Sequence, residues 1–112
     1  MSIITFDEFL KVDFRAGTII QAEVSVKAKK PAYKIWADFG SSLGILQTSA
    51  QVTVHYTPES LIGRQIIGCV NLGEKNVAGF VSQFLVVGFS DQSGAIKLAA
   101  IDGLVENGER LH

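Results

Sequence analysis

The stretch "TPESLIG", residues 57–63, decides how the rest of this chain is read. Thr57 offers an N-cap and Pro58 suits the first helical position. Glu59 puts a negative charge near the positive end of the helix dipole, and Gly63 closes the turn. One short helix is predicted there, and its surroundings read as strands. "FRAGTIIQAEV" (14–24), "YKIWADF" (33–39) and "GILQTSA" (44–50) precede it; "QIIGCVNL" (65–72), "FLVVGF" (84–89) and "AIKLAAI" (95–101) follow. Turn chemistry separates them at Gly40-Ser41-Ser42, across residues 90–94 and at Asp102-Gly103, and Asn107-Gly108 is a strong tight-turn signal near the end.

A closed sheet of five strands with a short helix between the third and fourth is the plan of an OB-fold. The expected class is therefore all-β: a five-stranded OB-fold barrel with a short N-terminal helix, a short helix between strands 3 and 4, and a C-terminal extension. The N-terminal helix is read at "TFDEFLK", where Thr5 and Glu8 form a capping box and Ile4 and Phe9 a hydrophobic staple. So short a helix must dock on its own sheet or on a second subunit. Gly17 is expected to let the first long strand bend.

The chain has 112 residues, 47% of them apolar and 19% charged, which suits one folded domain over residues 1–112. Its formal net charge of −1 gives no global field for polyanions, so electrostatic recognition must come from local clustering. The single cysteine, Cys69, excludes a disulfide framework and suits the reducing cytoplasm; in its apolar run it is expected to be a small buried hydrophobe. "MSIITFDEFL" lacks a signal-peptide pattern, and residues 76–90, though uncharged, are too short and too broken by Gly, Ser and Gln to span a bilayer, so no membrane insertion is expected.

One local cluster does break the charge balance. Lys27, Lys29, Lys30 and Lys34 occur in "VSVKAKKPAYKIWA" with no acid between residues 24 and 37. The first three fall in the loop joining strands one and two, a segment that contacts oligonucleotides in OB-folds. Alternation along the second strand puts Tyr33, Ile35, Ala37 and Phe39 on one face and Lys34, Trp36 and Asp38 on the other. Trp36 beside Lys34 is then either a base-stacking platform or a cover for the core edge or a subunit contact. The lysines are either an RNA-binding patch or a solvated loop. Enzyme readings find little support. His55 and His112 lack metal-ligand companions, His55 reads as a surface pair with Tyr56, and Asp13, Glu59 and Asp102 suggest no acid–base pair. "GSSLG" is read as a turn, not a phosphate loop.

Taken in order, these segments resemble the CsaA family, small stand-alone relatives of the tRNA-binding domain of some aminoacyl-tRNA synthetases and their cofactors. The resemblance is carried by "VDFRAGTI" (Asp13, Arg15, Gly17), "KPAYKIWADFG" (Pro31, Ala32, Lys34, Asp38, Phe39, Gly40), "TSAQVTVHYTPESLIGRQI" (Ser49, Ala50, Gln51, Tyr56, Pro58, Glu59, Leu61), "VNL", "AGF", Ser82 and Asn107-Gly108. It implies an OB-fold homodimer whose terminal elements help to bury the contact, with no enzyme activity, cofactor or metal. It also implies tRNA binding, with Ser49, Gln51, Asn71, Lys75 and Ser82 joining the lysines and Trp36 as RNA contacts. A chaperone role toward exported, unfolded preproteins is implied as well. For that role Phe80 and Phe84 are candidate peptide contacts, the alternative being ordinary core. Attachment to a synthetase as an assembly module is a third reading. The chain departs from the family at residues 73–76, read as a loop: Gly73 and Glu74 replace prolines, Asn76 replaces a second base, and Gln83 replaces a glutamate. That loop is less preorganised and less positive than its relatives'.

Overall fold

Alternation along β2 (Tyr33–Asp38) turns Tyr33, Ile35 and Ala37 inward, all buried, and leaves Lys34, Trp36 and Asp38 half-buried on the outer face. The computed structural model describes residues 1–112. The strand β1 (Phe14–Val24) pairs antiparallel with β2 through its second half and with β4 (Gln65–Cys69) through its first. Adding β3 (Ile45–Ala50) beside β2 and β7 (Leu85–Val86) beside β4 gives a five-stranded antiparallel sheet in the order β3-β2-β1-β4-β7. The sheet curls into a nearly closed OB-fold barrel, as expected from the strand pattern.

Polar contacts zip the closing seam. Thr48 Oγ1 donates to the Phe84 carbonyl (2.7 Å), the Gln83 N–H to the Gln47 carbonyl (2.8 Å), and the Gln47 N–H to Gln83 Oε1 (3.1 Å). The Ser49 N–H donates to Ser82 Oγ at 2.9 Å. Side-chain oxygens thus supply acceptors that a neighbouring strand would otherwise provide, and they limit the exposed edge of β3.

Phe39, Ile19, Ile35, Leu61 and Ile66 are fully buried at the centre, and Phe84 meets Phe39 edge-on at a centroid distance of 4.9 Å. Gly17 serves this contact. A Cβ there would lie 2.7 Å from the Phe39 ring, and one at Gly68 would lie 2.8 Å from it, so both glycines let the ring rest directly on the strands. The pairing of β1 with β2 shifts register between Ile19 and Gln21, the irregularity by which a bulge bends and twists a strand.

The helix that organised the sequence reading is α3 (Pro58–Leu61), between β3 and β4. Thr57 caps it by accepting the Ser60 N–H, and Ser60 reciprocates to the Thr57 N–H, so the box uses a serine not singled out in the sequence. Its Leu61 plugs the core. The N-terminal helix α1 (Phe6–Leu10) has the expected Thr5–Glu8 capping box, but none of its residues is buried.

Three local expectations change. "GSSLG" forms a one-turn helix, α2 (Gly40–Leu43), closed by the Gly44 N–H donating to the Gly40 carbonyl. Residues 73–76 are not simply a loop. Lys75 and Asn76 belong to β5 (Lys75–Val77), which pairs with β6 (Phe80–Ser82) across a turn at Ala78 and Gly79. Both turn residues have positive φ (52° and 83°), and Asn76 Oδ1 accepts the Gly79 N–H, which fixes this tight hairpin. Finally, "FLVVGF" does not run as one strand. The Val87 N–H still donates to the Ile67 carbonyl, and the chain leaves the barrel after it; β8 (Gly88–Ser90) pairs only with β9 (Ile96–Leu98), the strand part of "AIKLAAI". The C-terminal extension returns to the free edge of β1: the Ala16 N–H donates to Glu109, Gly108 to Ala16 and Leu111 to Phe14.

Candidate nucleic-acid interface

The chain between β1 and β2 is pinched at its base by the Ser25 N–H donating to the Ala32 carbonyl at 3.0 Å. Everything beyond that pinch projects, and it carries Lys27, Lys29 and Lys30 as exposed side chains. Facing it, residues 72–77 leave β4 and enter the β5–β6 hairpin. Between the two walls lies an open groove of about 870 Å³, floored by β3 and by the segment leading into β7.

Of the residues expected to touch RNA, Lys27, Lys29, Lys30, Ser49, Gln51, Lys75 and Ser82 all line this groove. Four ammonium groups therefore face one carboxylate, Glu74, in a chain of net charge −1. Ser82 is buried, and its hydroxyl is engaged by the Ser49 N–H, so its visible role is to hold the floor together. Gln51 is exposed and free to reach a ligand. Leu72 and Leu85 also line the groove, though nothing in their sequence context marked them. Only the fold brings them beside the lysines.

Lys34 and Trp36 lie outside the groove, on the outer face of β2, where they share Phe80. The indole meets the Phe80 ring edge-on (centroids 5.6 Å, 82°), and Lys34 Nζ sits 5.2 Å from the centroid of the same ring. Phe80 thus joins the cationic and aromatic residues of β2 as a half-buried cluster under the hairpin. Phe84 separates from it: only 4% exposed, it belongs to the core against Phe39 and has almost no surface to offer a peptide.

Asn71 is also outside the groove. Its carboxamide is engaged within the protein, accepting the Asp13 N–H (2.9 Å) and donating to the Lys11 carbonyl (2.6 Å). Asp13 in turn takes a two-pronged contact from Arg15, Nε at 2.6 Å and Nη2 at 3.2 Å, while Arg15 Nη1 donates to the Gly108 carbonyl. The hydrogen bond from Arg15, helped by the charges of Arg15 and Arg110, holds the Asp13 carboxyl below its ordinary value despite the opposing effect of burial. These residues join the C-terminal segment to β1.

His55 does not pair with Tyr56. Its Nε2 lies 2.6 Å from Asp91 Oδ2, linking the chain before α3 to the β8–β9 ribbon. Hydrogen bonds from Ser93 and His55 hold the Asp91 carboxyl far below the usual carboxylate range. Tyr56 accepts the Leu98 N–H on its hydroxyl and lies under the Arg64 guanidinium.

Comparison with known proteins identifies the family. A family model described as a putative tRNA binding domain matches residues 14–110. The crystal structure of the chaperone CsaA from Bacillus anthracis superposes with a TM-score of 0.93 at 40% identity, covering 99% of this chain and 100% of that one. The CsaA chaperone protein from Picrophilus torridus gives 0.91 at 38% identity, covering 98% and 100%. A methionine–tRNA ligase of Chlorobium chlorochromatii is 35% identical over 106 residues, which is 95% of this chain but only 15% of the ligase. The chain therefore belongs to the putative tRNA-binding-domain family and, within it, to the CsaA family.

Proposed function

We propose that the chain is a non-catalytic tRNA-binding protein that takes an RNA backbone into the groove between the β1–β2 loop and the β5–β6 hairpin. The observation that carries this reading is the convergence of Lys27, Lys29, Lys30 and Lys75, from opposite walls, on one open space. Ammonium groups on flexible stems neutralise phosphates without reading sequence, so recognition would follow RNA shape and backbone course. Lys34, Trp36 and Phe80 supply an adjoining cationic and aromatic face for an unpaired base. Glu74 offsets part of the groove's charge and weakens the site relative to a wholly basic one.

The test is a tRNA titration at about 50 and 200 mM salt, read by fluorescence of Trp36, the only tryptophan. If about four phosphates are neutralised, affinity should fall roughly 50- to 150-fold between those conditions. Lys29→Glu with Lys30→Glu should abolish most of the low-salt binding. Absence of binding by the wild-type chain at 50 mM salt would overturn the reading.

A second reading, holding unfolded preproteins, is favoured by the 40% identity to a structure described as the chaperone CsaA and by Leu72, Val77 and Leu85 along the groove. Peptide binding of that kind would tolerate salt and track peptide hydrophobicity. Either role suits a cytoplasmic homodimer. The exposed apolar side chains of Ile3, Ile4 and Phe6 support self-association, and the same surface would serve an assembly module attached to a synthetase.

A further inference from the structure

We infer that Asn71 is a positioning residue: its carboxamide fixes the wall of the groove at residues 72–75 to the end of α1, so that this helix steadies the groove. The helix itself is poorly packed. None of its residues is buried, and Phe6 is 71% exposed. The Glu8 and Phe9 carbonyls accept the N–H groups of Lys11 and Val12, and the next two carbonyls are taken by side chains: Arg110 donates to Leu10 and Asn71 to Lys11. Asn71 uses its other end as well, accepting the Asp13 N–H. One carboxamide therefore clamps both sides of the corner at Val12, and the Val70 N–H donating to the Asp13 carbonyl completes the junction.

Beyond this junction the chain is barely attached. Asn71 Oδ1 also accepts a long contact from the Cys69 thiol of β4 (3.6 Å), but no hydrogen bond ties residues 72–74 to the barrel, and Gly73 sits at a φ of +83° with open space beside it. The next tether is the β5–β6 pairing that begins at Lys75. Residues 72–75, the wall that presents Lys75 to the groove, are thus suspended between Asn71 and a small hairpin. Anything that orders or displaces α1 reaches that wall through the Lys11 carbonyl.

The inference rests on the tRNA-binding reading for its consequence, but its mechanical part is testable without RNA. Backbone order parameters of the full chain should stay near about 0.8 at residues 72–75 in the wild type and fall below about 0.6 in Asn71→Leu, with β1 to β3 unchanged. Thr5→Ala, which removes the cap of α1 well away from the groove, should loosen the same residues in the wild-type background and add nothing to Asn71→Leu. With tRNA, Lys75→Ala should weaken binding in the wild type and have no further effect in Asn71→Leu. Lys27→Ala should weaken both backgrounds equally, giving a coupling of about fivefold confined to the Asn71–Lys75 pair. Unchanged order at residues 72–75, or additive effects of Asn71 and Lys75, would overturn the inference. A wild-type chain that binds no tRNA would instead remove the proposed function, with the order parameters still deciding the role of Asn71.

Discussion

At the residue scale, the polar side chains of greatest structural consequence work across long sequence separations. Asp13 collects Arg15 and Arg110, and Arg15 passes the connection on to Gly108. Because its folded-state pKa lies below the ordinary 3.8, Asp13 contributes stability that is present above that value and is lost as pH falls through the lowered one. Asp13→Asn should therefore be less stable than the wild type at neutral pH, by at most about 1 kcal/mol for a partly exposed pair. The gap should close on acidification below about pH 4. Thermal unfolding of both proteins across that range checks this, and a gap that persists in acid would show that packing, not charge, is what the substitution removes. The same scale explains which site residues could be read from sequence. Lys27, Lys29 and Lys30 stand out because they are close together with no intervening acid. Asn71 and Ser82 resembled RNA contacts, but their partners lie far along the chain, at Lys11 and Ser49, where no local pattern reveals them.

At the scale of elements, local chemistry foretold what it controls. β1 has the expected ends, and both helix starts carry the expected caps. Thr57 is the clearest case, since its hydroxyl shares the Ser60 N–H with its own carbonyl at the start of a helix whose Leu61 fills the core. Thr57→Ala should cost about 1 kcal/mol, while Thr57→Asp, which keeps an acceptor, should cost much less. Urea midpoints compare them; equal losses would mean that the cap matters less than the methyl group. Elements whose limits depend on tertiary partners were harder to read. "FLVVGF" has strand composition throughout, yet only Leu85 to Val87 bond to β4, and from Gly88 the chain takes a different partner. The β5–β6 hairpin was obscured because its turn uses Ala78 at positive φ, a conformation that alanine does not advertise.

At the scale of the whole molecule, two surfaces have opposite characters. The groove concentrates positive charge that the net charge of −1 conceals, because every acid but Glu74 lies elsewhere. The N-terminal surface instead exposes apolar side chains that its short helix cannot bury: Ile3 at 95%, Phe6 at 71% and Leu10 at 39%. A five-residue helix gains too little from its own hydrogen bonds to be ordered by them alone, and we propose that burial against a second copy adds to its stability. In a two-fold assembly each such surface meets its equivalent, and the assembly carries two grooves. The chain, 12.1 kDa in mass, should therefore sediment as a dimer at micromolar concentration. Phe6→Ser with Leu10→Ser should shift it toward the single chain, whereas Phe89→Ser, on the remote β8–β9 ribbon and equally exposed at 74%, should leave the mass unchanged. If Phe89→Ser alone dissociates the dimer, the contact lies on the ribbon. If neither variant alters a dimeric mass, the terminal helix does not form the interface.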